Sequence, residues 1–123
     1  MEDAVQTSFK FLHAADIHLD SPMRGLSNYE NAPVDAMRGA TREALKNLVN
    51  LALAEDCAFV VIAGDLFDGS QRDISTALFF AKEMSRLGQR NIRVFIVFGN
   101  HDAESQLRTM PRPDNVTLLS NRR

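Results

Sequence analysis

The amino-acid sequence predicts an α/β fold around a parallel sheet, in the order strand, helix, strand, helix, strand. Two observations carry that expectation. Apolar runs at Phe9–Ala14, Phe59–Ala63 and Val94–Phe98 are short and rich in β-branched or aromatic residues, as strands are. The stretches between them are long enough for the helical crossovers that join parallel neighbours. Each run also stops at a polar cluster: Asp16-Ile17-His18, Gly64-Asp65-Leu66-Phe67-Asp68 and Gly99-Asn100-His101-Asp102. Ligands of open α/β sheets bind beyond the carboxyl ends of the strands, so the three clusters predict one shared site.

Each element has its own local warrant. After the first strand, Pro22, Gly25, Ser27, Asn28 and Asn31 mark a loop. Pro33 suits the first turn of a helix. From Val34 to Glu55, residues Met37, Leu45, Leu48, Val49, Ala52 and Leu53 recur at helical spacing. Gly39 weakens the early part, which predicts a start nearer Thr41. The continuous run Phe59–Ala63 reads as a strand buried on both faces. A second helix is predicted from Ile74 to Leu87, with Asp73 as cap and Gly88 as stop. Val116–Leu119 reads as a last strand.

Bulk properties narrow the function class. A chain of 123 residues holds one domain. Its net charge of −2 is lower than expected for a protein that grips nucleic acid by charge alone. A DNA substrate would therefore require local basic patches or bound cations. The single cysteine, Cys57, excludes an internal disulfide and fits a reducing, cytoplasmic setting. No apolar run approaches the roughly 20 residues of a membrane span, and residues 1–8 lack the apolar core of a signal peptide.

The clusters carry the chemistry. In extended backbone Asp16 and His18 would point to one side, roughly 7 Å apart at Cα, and could converge on one cation. Mixed oxygen and nitrogen donors suit Mn²⁺, Fe²⁺ or Zn²⁺ better than Ca²⁺. Asp65 follows a glycine, which permits close backbone approach, and its two oxygens could bridge two ions. The plainer reading of Asp65 and Asp68 is a turn cap. Asn100 offers a neutral carbonyl oxygen. His101 could protonate a leaving oxygen or stabilise phosphoryl charge, with Asp68 or Asp102 orienting its ring. Elsewhere the plain readings stand. Phe79, Phe80, Met37, Met84 and Cys57 are expected in the core, His13 is expected to be structural, and Arg108, Arg112, Arg122 and Arg123 are expected on a solvated surface.

In order and spacing, the three clusters resemble the first three motifs of the calcineurin-like metallophosphoesterases. The stretch Phe11-Leu12-His13-Ala14-Ala15-Asp16-Ile17-His18-Leu19-Asp20-Ser21-Pro22, with Ala63 to Gly69 and Val94 to Glu104, is similar to the SbcD/Mre11-type DNA repair exonucleases within that family. The likeness runs from about Phe9 to Leu119. It implies the βαβαβ half of a four-layer α/β/β/α sandwich. It implies two divalent ions, Mn²⁺ by preference, with Asp16 and His18 on the first, Asp65 bridging and Asn100 on the second. It implies His101 as the catalytic histidine and Asp68 as its orienting carboxylate, serving hydrolysis by metal-activated water. It also implies DNA as substrate, an SMC-like ATPase as partner and a possible homodimer.

The family has further histidine motifs in a second half, and no histidine follows His101. Residues 1–123 are therefore expected to be the amino-terminal part of such a domain. Alone they are expected to bind metal poorly, to be inactive and to expose the apolar sheet face that a partner layer covers. Two other readings are a phosphatase or phosphodiesterase for a small molecule or phosphoprotein, which the same metal core would serve, and an inactive scaffold fragment.

Overall fold

The computed structural model describes residues 8–20, 34–67, 74–98 and 107–119. Four strands and two helices follow in the order β1 (Phe11–Ala15), α1 (Val34–Ala54), β2 (Phe59–Ala63), α2 (Ile74–Gly88), β3 (Arg93–Val97) and β4 (Val116–Leu119). The strands form one sheet in sequence order, β1-β2-β3-β4, and every pairing is parallel. The fold class is the one expected.

Register decides where the ends fall. Ala15, Ala63, Val97 and Leu119 share the last rung. The segments that follow β1, β2 and β3 therefore all leave the sheet at its carboxyl edge. Strands added in order on one side, with right-handed crossovers, place both helices on the same face. Burial agrees: Val60, Ile62, Val94, Ile96 and Val116 are buried with Leu45, Val49 and Ala52 of α1 and Phe80, Met84 and Leu87 of α2. Phe80 is fully buried and meets Phe67 edge to face, with ring centroids 5.7 Å apart.

Among the described residues, no helix covers the opposite face. The expectation that β2 is buried on both faces fails, because Phe59, Val61 and Ala63 are only half-buried. Among the described residues both helices lie on the other side. Phe9 and Phe11 are 64% and 54% exposed, and they form an aromatic row with Phe59 and Phe95. Phe11 stacks on Phe59 at 5.1 Å, and Phe59 meets Phe95 edge-on at 6.0 Å. His13 shares this face and is exposed, not packed as expected of a structural histidine.

Both helices end in the same device. Cys57 N–H bonds Ala52 C=O (3.0 Å) and Asp56 N–H bonds Leu53 C=O (3.2 Å), with Asp56 at φ 51°. Ile92 N–H bonds Leu87 C=O and Asn91 N–H bonds Gly88 C=O (both 3.0 Å), with Asn91 at φ 60°. Each is a Schellman closure with a buried apolar pair across it: Ala52 with Cys57, and Leu87 with Ile92. Asn91, not Gly88, thus supplies the left-handed stop of α2. Gly88 is instead a contact point, where a Cβ would lie 3.0 Å from Asn115 Oδ1. Asn115 is pinned there by bonds from its Nδ2 to Met84 C=O and Ile92 C=O.

Helix α1 begins at Val34 and runs through Gly39, so the later start expected near Thr41 is not observed. A glycine propensity cost of about 1 kcal/mol is too small to end the helix there. Asp73 and Pro33 lie outside the described residues. Leu107 and Arg108 are helical, which the sequence reading did not expect, and precede β4. Far from the carboxyl edge, Lys10 Nζ pairs with Glu55 Oε1 at 2.8 Å. The hydrogen bond and then the opposite charge raise the Lys10 pKa and lower that of Glu55.

Two substitutions should separate local propensity from packing. A Cβ at Gly39 meets nothing within 4 Å, so Gly39→Ala should raise the unfolding free energy by about 0.5–1 kcal/mol. Phe80→Ala should lower it by about 3–5 kcal/mol. Urea midpoints at constant m-value would read both changes.

Candidate metal centre

The centre starts with the way two loops leave the sheet. Asp16 N–H bonds Ala63 C=O (3.0 Å), His18 N–H bonds Asp65 C=O (3.1 Å) and Leu19 N–H bonds Leu66 C=O (2.8 Å). Leu19 and Phe67 form an isolated parallel bridge. The chain after β1 thus tracks the chain after β2 for several residues beyond the sheet, and Gly64 N–H ties the second loop to Val97 C=O of β3 (3.0 Å).

The expectation of an extended Asp16–His18 segment does not hold. Asp16, His18 and Asp20 lie at φ 54°, 50° and 55°, a left-handed conformation that Asp and His tolerate better than most residues. These residues turn the chain while Asp16, His18 and Leu19 keep their bonds to the neighbouring loop. Convergence therefore comes from positive φ and not from the strand pleat.

Gly64 stands at the crossing, with φ 82°. A Cβ there would lie 2.1 Å from Asp16 Oδ1. Instead, Asp16 Oδ1 accepts the N–H of Asp65 at 3.1 Å. The Asp16 carboxylate thus rests on the backbone that presents Asp65.

One donor atom each from Asp16, His18 and Asp65 lies within 4.8 Å of the others. Asp16 is exposed, and His18 and Asp65 are partly buried, so the cluster opens to solvent. Oxygen and nitrogen donors about 2.1 Å from one ion lie at most about 4.2 Å apart, so rotamer-scale adjustment would close the set. Two carboxylates and an imidazole within 4.8 Å of one another offer a cation oxygen and nitrogen donors from two loops. The donor chemistry fits a borderline divalent transition ion.

Of the residues singled out from sequence, the structure brings Asp16, His18 and Asp65 together. Asp68, Asn100, His101 and Asp102 lie outside the described residues, as do Arg122 and Arg123. Sequence reasoning missed Asp20. It is 3% exposed and bonded to Arg42 and Thr76. The available signal was the alternation Asp16-x-His18-x-Asp20, in which the third residue was given no role. Among the described residues, no helix is long and apolar enough to cross a membrane.

Comparison with known proteins agrees with this geometry. Residues 9–121 match the family model for calcineurin-like phosphoesterases. An uncharacterized metallophosphoesterase, YhaO of Bacillus subtilis, is 35% identical over 93% of this chain and 28% of its own. The DNA double-strand break repair protein Mre11 of Archaeoglobus fulgidus is 38% identical over 79% of this chain and 20% of its own. That of Thermoplasma acidophilum is 28% identical over 74% and 22%. The chain thus spans between a fifth and a third of the length of these curated relatives.

The close approach at Gly64 makes a sharp prediction. Gly64→Ala meets both an unfavourable φ and a clash with Asp16, so it should weaken divalent-ion binding at least about tenfold and cost about 1–3 kcal/mol of stability. Calorimetric Mn²⁺ titration and a urea midpoint would check the two effects separately.

Proposed function

The chain belongs to the calcineurin-like phosphoesterase family, and from that premise we propose that the intact protein is a metal-dependent phosphodiester hydrolase of the DNA repair nuclease type. The observation that carries the hydrolase reading is the convergence of Asp16, His18 and Asp65 where parallel strands end. The nuclease reading draws on the Mre11 relatives and on the motif resemblance. The segment is proposed to form the amino-terminal part of the phosphoesterase domain, acting in the cytoplasm.

In this reading Asp16 and His18 would hold one divalent ion, Asn100 would hold a second, and Asp65 would serve both. Bound ions, Mn²⁺ by preference, would supply Lewis acidity toward phosphoryl oxygens and activate water. The chain's own residues do the rest. Gly64 lets the two acidic loops close on each other without a side chain between them. The Asp65 N–H holds the Asp16 carboxylate in place. His101 donates a proton to the leaving oxygen, and Asp68 orients its ring. DNA is the proposed substrate, with an SMC-like ATPase as partner and a homodimer as assembly, the last two on the resemblance alone. The resemblance places further histidine ligands in a second half of the domain, so on this reading residues 1–123 in isolation should bind metal weakly and show no hydrolysis.

The intact protein should degrade linear DNA with Mn²⁺ and stop on chelation. His101→Ala should cut kcat by about 10²–10⁴-fold with little change in Mn²⁺ affinity, whereas Asp65→Ala should lose both. Hydrolysis of p-nitrophenyl phosphate with DNA left intact would sink the nuclease reading in favour of a small-molecule or phosphoprotein phosphatase.

A further inference from the structure

We propose that Asp20 is a positioning residue for the metal-binding loop, acting through a buried clasp with Arg42 and Thr76. The inference rests on reading Asp16, His18 and Asp65 as ligands.

A carboxylate this deeply buried is costly unless it is paired and hydrogen-bonded, and Asp20 is both. Arg42 Nε lies 2.9 Å from each carboxylate oxygen, and Arg42 Nη2 lies 2.5 Å from Oδ2. Thr76 Oγ1 donates to Oδ2 at 2.6 Å. The Asp20 N–H donates to Thr41 Oγ1 at 3.0 Å. Arg42 is itself held by a bond to Ser75 Oγ (2.9 Å) and by the Phe79 ring, 5.0 Å beneath its guanidinium. One residue of the loop is therefore fastened to α1 and to the first turn of α2. That first turn carries no acidic residue of its own, and Asp20 supplies the negative charge that a helix amino terminus favours.

The loop needs such a fastening. Its three left-handed residues each sit in a sparsely populated region that persists only when the surroundings over-determine it. On one side the hydrogen bonds to Ala63, Asp65 and Leu66 hold the chain against the β2 loop. Those bonds hold the N–H groups of Asp16, His18 and Leu19. The clasp holds the Asp20 side chain from the other side, two residues beyond His18. With both in place the imidazole is aimed at the carboxylates of Asp16 and Asp65 before any ion arrives. With the clasp cut, the segment can relax to ordinary φ values and carry the imidazole away.

The test compares Mn²⁺ affinity with thermal stability in the intact protein. Thr76→Val removes one bond at constant shape, Arg42→Lys keeps the charge but not the fork, and Asp20→Asn removes the charge. Each should weaken calorimetric Mn²⁺ binding by about 10–100-fold and shift the visible absorption band of the Co²⁺-loaded protein. Leu45→Ala, a fully buried apolar truncation on α1, should lower Tm at least as much while leaving Mn²⁺ affinity and the Co²⁺ band near wild type. Clasp variants that bind Mn²⁺ like wild type, or affinity that follows Tm across both sets, would overturn the proposal. Should Asp20→Asn fail to fold, Thr76→Val alone decides between these outcomes. Asp16→Ala and Asp65→Ala report on the ligand reading: wild-type Mn²⁺ binding in those two variants would remove the premise, a result distinct from intact binding in the clasp variants alone.

Discussion

Beyond the last rung of the sheet, the chain leaving β1 and the chain leaving β2 stay side by side, and the distance between them is set at Gly64. The Asp16 carboxylate lies where a side chain at position 64 would be, close enough that even a Cβ would overlap Oδ1. Removing the side chain lets the carboxylate bond the next N–H, and that bond fixes how Asp65 is presented. Any side chain at 64 would push the two loops apart and separate the acids. The left-handed φ of the same residue adds a second reason for glycine.

The sheet makes that meeting possible because its strands are in step. Ala15 pairs with Ala63, and Ala63 with Val97, so the chains leaving β1 and β2 start level with each other. A slip of one residue in β1 would move Asp16 past Gly64 and turn its buried side toward solvent. Two rungs on the helix-covered face resist that slip: Leu12–Val60–Val94–Val116 and Ala14–Ile62–Ile96–Leu118, with Leu12, Ala14 and Leu118 partly buried and the rest buried. The open face contributes less, mainly through the aromatic row from Phe9 to Phe95, where such pairs contribute about 0.5–1.5 kcal/mol each. The geometry of the centre therefore depends on the helix-covered face.

Much of this was legible in the sequence. The strands at Phe59–Ala63 and Val116–Leu119 fall where their β-branched runs placed them. The parallel topology followed from crossover length, and the site position from polar clusters at strand ends. What escaped was local and non-repeating. The left-handed backbone at Asp16 and His18 has no periodic signal, because it is imposed by bonds to a loop some 50 residues away. The stops at Asp56 and Asn91 were hidden because Asp and Asn are common in ordinary loops as well. Gly88 looked like a stop, but its lack of a side chain serves Asn115. Asp20 stood in plain view in the first motif. Its role depends on Arg42 and Thr76, which only the fold brings near.

The two helices are tied to each other by buried acids, and the placement of those ties bears on the centre. Asp20 joins Arg42 in the third turn of α1 to Thr76 in the first turn of α2. Further along, the fully buried Glu83 pairs with Arg86 at 2.6 Å, and Arg86 reaches Asn50 of α1. Replacing a buried ion pair by apolar side chains is often neutral or stabilising, so net stability is a poor explanation for either tie. Register is a better one. Apolar helix faces can slide past each other by a turn with little change in buried area, whereas a hydrogen-bonded acid cannot. Two ties, spaced along both helices, fix α1 against α2. Because Asp20 belongs to the loop that carries Asp16 and His18 as well as to the first tie, the register of the helices becomes the position of the loop. A slide of either helix would reach His18 through two residues of backbone.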